Sequence, residues 1–282
     1  MARRPIYDKE PVSKLAAWSG RFGIFALAVA ALSVLILRSG LLEIVPALST
    51  FAAALVCAGL AILFALLSFI TIWRQGLSGL GYSLLGMVLG FALLAYPAYL
   101  GYRGMKLPAI SDITTDPANP PRFDVLARLR PRGKVDYPGQ AVAEKQRTAY
   151  PDIVPLQLTV PAKAAYDVTM AIMTKRKWLI VDTRAPSATR RDGSIEAVAR
   201  TPIMGFRDDI AIRIVPTREG ARVDARSASR YGAHDFGANA SRLRALLEEI
   251  DDQAGNAPSP RAEEPPPKPA PAKRPQPSNK RN

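Results

Sequence analysis

The feature that most constrains this chain is a change of character about a third of the way along it. Three long apolar stretches, about Leu15–Leu37, Leu48–Trp73 and Leu80–Tyr102, come first, and a polar, basic chain follows. Each approaches or exceeds the ~20 residues that cross ~30 Å of hydrocarbon at 1.5 Å per residue. Inside a bilayer the backbone has no water to bond to, so a transmembrane helix is expected of each. Arg21 stands one turn inside the first stretch, where its stem reaches toward the headgroups. Trp18, Trp73, Tyr96, Tyr99 and Tyr102 fall toward the ends, where aromatic belts form. The links Arg38–Ala47 and Arg74–Gly79 are short and force neighbouring helices to run antiparallel. No stretch carries Asp, Glu, Lys or His near its centre. Proton relays and ion-coupled transporters need such groups at depth, so the module reads as an anchor. Gly86 and Gly90 form a small-xxx-small pair that admits a close helix, either within the module or from another copy.

Basic residues set the expected orientation. Arg3, Arg4, Lys9, Lys14 and Arg21, with Arg74 of the second link, lie on one side, against Arg38, Arg103 and Lys106 on the other. The bias places the N-terminus in the cytoplasm. An odd number of crossings then exports the C-terminal domain, to the periplasm if the anchor sits in a bacterial inner membrane. Arg38-Ser39-Gly40-Leu41 after the first stretch is no small-x-small cleavage site, so that stretch is expected to remain.

The chain divides into a cytoplasmic tail (1–14), the anchor (15–102), a proline-rich tether (103–122), a soluble domain (123–252) and a Pro/Lys-rich tail (253–282) expected to be disordered. Pro108, Pro117, Pro120 and Pro121 argue against a long helix or central strand in the tether. The lone cysteine, Cys57, lies in the second apolar stretch, and the lone histidine is His234. Disulfides within the chain, thiol catalysis in the soluble part and multi-histidine metal sites are thereby excluded, and no cofactor is expected. The net charge is +14, but an exported domain without interleaved aromatics is not expected to bind nucleic acid.

In the soluble part, Leu156–Val160 reads as a strand, and Pro161 opens an amphipathic helix to about Lys175. Four strand-like runs follow, Trp178–Arg184, Ile195–Ile203, Asp209–Val215 and Arg222–Arg230, with turns at Arg191-Asp192-Gly193 and Glu219-Gly220. Ile210, Ile212 and Ile214 alternate with charged neighbours, as do Val223 and Ala225, so one sheet face is apolar and the other charged. Asp235 is a good N-cap for a last helix whose Phe236, Ala240, Leu243, Leu247 and Ile250 recur on one side. The expected fold is α+β, with three N-terminal transmembrane helices followed by an antiparallel sheet that has helices packed on one face. Phe123–Tyr150, which includes the basic Arg128, Arg130, Arg132 and Lys134, gives no clear pattern.

Several motifs are similar to the bacterial domain-of-unknown-function family fourteen-ninety-nine. They are Ser111-Asp112-Ile113-Thr114-Thr115-Asp116-Pro117 with Pro120-Pro121-Arg122-Phe123, then Tyr150-Pro151-Asp152-Ile153, then Gly205-Phe206-Arg207-Asp208-Asp209. The strongest runs from Val223-Asp224-Ala225-Arg226-Ser227 through Ser229-Arg230, Gly232, Asp235, Gly237, Asn239-Ala240 and Arg242. The resemblance covers about Ser111–Asp252 and implies little chemistry. It departs at His234, where the family pattern more often has a small or hydroxyl residue.

Three constellations remain. Asp208, Asp209, Asp224 and Asp235 are oxygen ligands in kind, but no cation-loop spacing joins them. Ser227, Ser229, His234 and Asp235 are parts of a hydrolytic triad without a Gly-x-Ser-x-Gly elbow. The sharper feature is Arg207, Arg213, Arg222, Arg226 and Arg230 with Asp208, Asp209 and Asp235. Guanidinium groups at that density suit an anionic lipid, envelope polymer or acidic protein. A structural ladder of cross-strand ion pairs with Asp209, Asp224 and Glu196 is the favoured reading of the arginines themselves. The expectation is a membrane-anchored envelope protein whose domain binds or scaffolds an anionic partner. The alternatives are an envelope enzyme with Asp208 or Asp209 as acid or base, and an assembly factor that docks through its helices.

Overall fold

The computed structural model describes residues 10–40, 43–130, 135–187 and 189–255. Arg3, Arg4, Lys9, Arg132, Lys134 and the Pro/Lys-rich tail from 256 onward lie outside the described residues.

Three helices, α1 (Lys14–Ser39), α2 (Ile44–Gln75) and α3 (Leu80–Lys106), are each long and apolar enough to cross a membrane. Their packing is the inverse of a water-soluble bundle. The buried positions are small: Ala16, Ser19, Gly20, Gly23, Ala26, Ala30 and Ser33 on α1, Ala54, Ala58, Ala61, Ala65 and Ser68 on α2, and Ser83, Gly86 and Gly90 on α3. The large side chains point outward, among them Phe25, Leu35, Val56, Trp73, Val88 and Phe91, all more than half exposed. Lipid tails are as apolar as leucine, so close backbone approach and interhelical hydrogen bonds, rather than water exclusion, hold such helices together. Ser19 Oγ donates to the Ala61 carbonyl (2.8 Å), and Ser68 and Ser83 share a hydroxyl pair (2.5 Å). Gly86 lies against Ser19 and Gly23 of α1, and Gly90 against Ala58 and Ile62 of α2. Both glycines are thus used inside the module. Ser13 caps α1, and its N–H donates to the Ser78 carbonyl, tying the α2–α3 link to the N-terminal segment.

The rest is an antiparallel sheet with helices. In chain order it comprises β1 (Asp112–Thr114), a 3-10 helix (Leu126–Leu129), α4 (Gln140–Ala149), β2 (Leu156–Leu158), α5 (Ala162–Lys175), β3 (Leu179–Arg184), β4 (Gly193–Arg200), β5 (Arg207–Pro216), β6 (Ala221–Ser229) and α6 (Ala238–Gly255). The order across the sheet is β1-β6-β5-β4-β3, with β2 also on β6. β1 and β2 lie end to end along one edge of β6, against Arg226–Ala228 and Ala221–Val223 respectively. Thr115 spans the gap. Its N–H donates to the Ala225 carbonyl and its hydroxyl accepts from the Ala225 N–H, both at 2.9 Å. On the outer side of β1, the Gln146 amide of α4 bonds both the N–H and the carbonyl of Thr114, acting as a one-residue strand. These contacts give backbone partners to an edge that would otherwise invite a foreign strand.

The apolar face carries Ile195, Ala197, Ala199, Ile210, Ile212, Ile214, Val223 and Ala225, packed under Ala165, Ile172 and Met173 of α5 and Ala240, Leu243, Leu246 and Ile250 of α6. The antiparallel sheet with helices on one face is therefore as the alternation implies. Two boundaries moved. β4 ends at Arg200, because Pro202 begins the turn to β5. Within the stretch expected as a tether, α3 runs on to Lys106 and Asp112–Thr114 joins the sheet.

Candidate functional site

The second sheet face is charged, and it is covered. After β1 the chain crosses this face as a strap, Asp116–Arg130, and seats Phe123 and Leu126 on Val198, Ala211 and Ala228. Glu196 of β4 fixes the strap. Its carboxylate accepts the backbone N–H groups of Asp124, Val125 and Leu126 at 2.8–3.1 Å. Those are the unpaired donors at the start of the 3-10 helix, where a negative group is favoured. Glu196 is therefore a helix-start cap, and the arginine partner expected for it is not what it binds.

Beneath the strap the guanidinium groups are met by carboxylates. Arg226 forms a two-pronged pair with Asp112 (3.0 and 2.7 Å), donates to the carbonyls of Pro121 and Val135, and lies 4.4 Å from the Phe123 ring centre. Asp209, fully buried, accepts from Arg130 (2.9 Å) and from Arg230 (2.9 and 2.8 Å). Asp224 accepts from Arg213 and Arg222, and both arginines also reach Asp116 of the strap. A buried charge costs several kcal/mol of desolvation unless it is paired and its remaining hydrogen-bonding groups are filled. That condition is met here by carbonyls and an aromatic face as well as by carboxylates. Burial pushes the Asp112 carboxyl above its ordinary value while Arg226 pulls it down, and burial lowers Arg130.

Asp208 and Asp209 are neighbours with opposite outlooks. Successive strand residues point to opposite faces, so Asp209 sits under the strap and Asp208 faces α6, paired with Arg242 at 2.6 Å. Asp235 caps α6, accepting from the N–H groups of Gly237 and Asn239 at 2.8 Å. Asn239 in turn bonds Ser227 and Ser229. His234 touches neither serine. Its Nδ1 accepts from the Phe236 N–H (2.9 Å), and its Nε2 is 3.3 Å from the Gly104 carbonyl of α3. Among the described residues, no three His, Cys, Asp or Glu side chains converge to hold a cation.

Of the seven candidate residues, Arg213, Arg226, Arg230 and Asp209 are therefore brought onto one face, and Asp208 and Asp235 onto the other side of the sheet. Arg207 stands apart, exposed at the start of β5. An open hollow of about 630 Å³ lies at the opposite end of the sheet, lined by Ser187, Arg191, Pro216, Thr217 and Arg218, and includes none of the seven. Arg130, Asp116 and Phe123 belong to the charged face but carry no periodic signal. Asp116 and Phe123 left a trace in the motif Ser111–Phe123, and Arg130 only in the basic run Arg128–Lys134.

Burial pushes the Asp235 carboxyl above its ordinary value, against the N–H bonds from Asn239 and Gly237 that lower it. A carboxyl raised on folding adds stability that is full below its unfolded value of about 3.8 and is lost as pH rises through the folded value. Wild type should therefore lead Asp235→Asn by most in acid, and the lead should shrink as pH is raised. Urea titrations of the two proteins across that range check it, and a pH-independent gap would contradict it.

The molecule is thus an α+β domain with an ionic inner sheet face, preceded by three helices long and apolar enough to span a bilayer. Residues 112–250 match the model of a family described as a protein of unknown function (DUF1499). That segment is the folded domain almost end to end. No curated protein matches the chain.

Proposed function

We propose that the protein is a non-catalytic scaffold of the bacterial envelope, anchored in the inner membrane with its N-terminus in the cytoplasm and its α+β domain in the periplasm. The observation that carries this reading is the internal use of the charged sheet face. Arg213, Arg226 and Arg230 are matched by Asp224, Asp112 and Asp209 beneath the strap, so the face works as framework and the domain meets anionic partners through its outer surface. Acid–base chemistry draws no support, because Asp208 and Asp209 lie on opposite faces and each is held by arginine. The basic residues at the helix ends support the orientation.

Two measurements on the full-length chain in membranes test the proposal. Alkaline phosphatase fused after Asp252 should be active in cells, and a silent fusion would refute the exported placement. The double variant Arg226→Gln/Arg230→Gln should lose protease resistance. If it keeps that resistance and instead loses binding to an anionic partner, the face is a binding site and the scaffold reading fails.

A further inference from the structure

The turn between β4 and β5 has an apolar tip, Pro202-Ile203-Met204, with Ile203 41% exposed. At its base Arg200 and Arg207 are cross-strand partners, and both are exposed. Like charges directly opposite each other destabilise a sheet. Among the described residues neither arginine is paired with a carboxylate, and nor is Arg38, the third cation at this corner. Three guanidinium groups are thus gathered around an apolar point, and among the described residues none of them makes an ion pair.

The position of this corner decides what it meets. Arg38 closes α1, and its Nη1 donates to the carbonyls of Pro202 (2.7 Å) and Ile203 (3.2 Å), while Arg200 Nη1 donates back to the Arg38 carbonyl (3.1 Å). The tip is therefore fastened at the level where an apolar, membrane-length helix ends. At the same end of the bundle, α3 finishes with Tyr99, Tyr102, Arg103 and Lys106, the residue types that mark a headgroup layer.

We infer that the β4–β5 turn docks on the bilayer beside the anchor, with Ile203 and Met204 at the acyl boundary and Arg38, Arg200 and Arg207 binding the phosphates of anionic phospholipid. The lipid supplies counter-charge to guanidinium groups that make no ion pair among the described residues, and each basic residue near an anionic surface adds about 1 kcal/mol, or roughly fivefold in affinity. The inference rests on the three helices spanning a membrane but not on which side the domain faces, since the lipid contacted is in the leaflet adjoining it.

The test uses the full chain with Cys57→Ser and Ile203→Cys, labelled with an environment-sensitive fluorophore and placed in nanodiscs carrying headgroup-proximal spin-labelled lipid. A label at Thr217→Cys, at the far end of the sheet, is the reference. The Ile203→Cys label should be blue-shifted and quenched relative to Thr217→Cys. The quenching should rise when phosphatidylglycerol replaces part of the phosphatidylcholine, and Arg200→Gln/Arg207→Gln should remove that rise. Equal quenching at the two positions would overturn the docking. Quenching indifferent to phosphatidylglycerol or to the arginine change would overturn the phosphate contact. A chain that does not enter the discs would refute the membrane anchor itself, and this inference with it.

Discussion

Asp209→Ala is expected to cost about 3–5 kcal/mol, the range for breaking a buried ion pair by removing one partner. Here one carboxylate serves two guanidiniums, Arg130 and Arg230, whose side chains are 3% and 7% exposed. Removing it leaves two cations in a space closed by the strap, and Arg230 loses both hydrogen bonds it makes there. Small domains are stable by only about 5–15 kcal/mol, so the variant should sit near the edge of unfolding. The measurement is thermal or chemical unfolding of the detergent-solubilised chain, followed through the soluble domain. Asp152→Ala is the comparison. Its partner Arg244 is exposed, and surface pairs contribute only about 0–1 kcal/mol. If the two variants were equally mild, the charged face would not be the framework described above.

Gly86→Leu is expected to break the anchor. A Cβ at Gly86 would overlap the hydroxyl and carbonyl of Ser19, and backbone cannot give way as a flexible side chain does. At Gly90 the same atom would come within 2.6 Å of Ile62 Cγ1 and 2.8 Å of the Ala58 carbonyl. Overpacking typically costs about 1–3 kcal/mol and more where, as here, backbone is in the way. In the bilayer it should separate α3 from α1 and undo the Ser68–Ser83 hydroxyl pair. Gly59→Leu is the control, because its Cβ meets nothing within 4 Å. Accumulation in membranes and protease resistance in detergent should fall for the first and hold for the second. If Gly86→Leu altered crosslinking between copies while each copy stayed intact, the glycines would serve assembly rather than internal packing.

What the sequence made legible follows its periodicities. Ile210, Ile212 and Ile214 alternate strictly, so the strand and its faces could be read. The same parity put Arg222, Arg226 and Arg230 on one side. The spans were legible because length and apolarity suffice to identify them. The covering of the charged face was not. Phe123 and Leu126 reach it from an irregular segment with no period to follow, so their contacts are purely tertiary. β1 was missed because three residues close to prolines offer no alternation. α4 buries only Ala143 and Gln146, which leaves no apolar stripe to find. Phe236 was expected among the core residues of the last helix. It instead has a positive φ, before the helix begins, and rests against Gly104 and His234.

The placement of β1 has a consequence for how the molecule is made. Synthesis runs from the N-terminus, so Asp112–Thr114 emerges directly behind the third helix, yet its partners are Arg226–Ala228. The sheet therefore cannot be completed until more than a hundred further residues have left the ribosome. By then the preceding helices have all been made, and β1 stands without a partner strand until β6 arrives. The strand closest to the anchor in sequence waits longest for its mate, and a chain cut short before Arg226 would leave it with none.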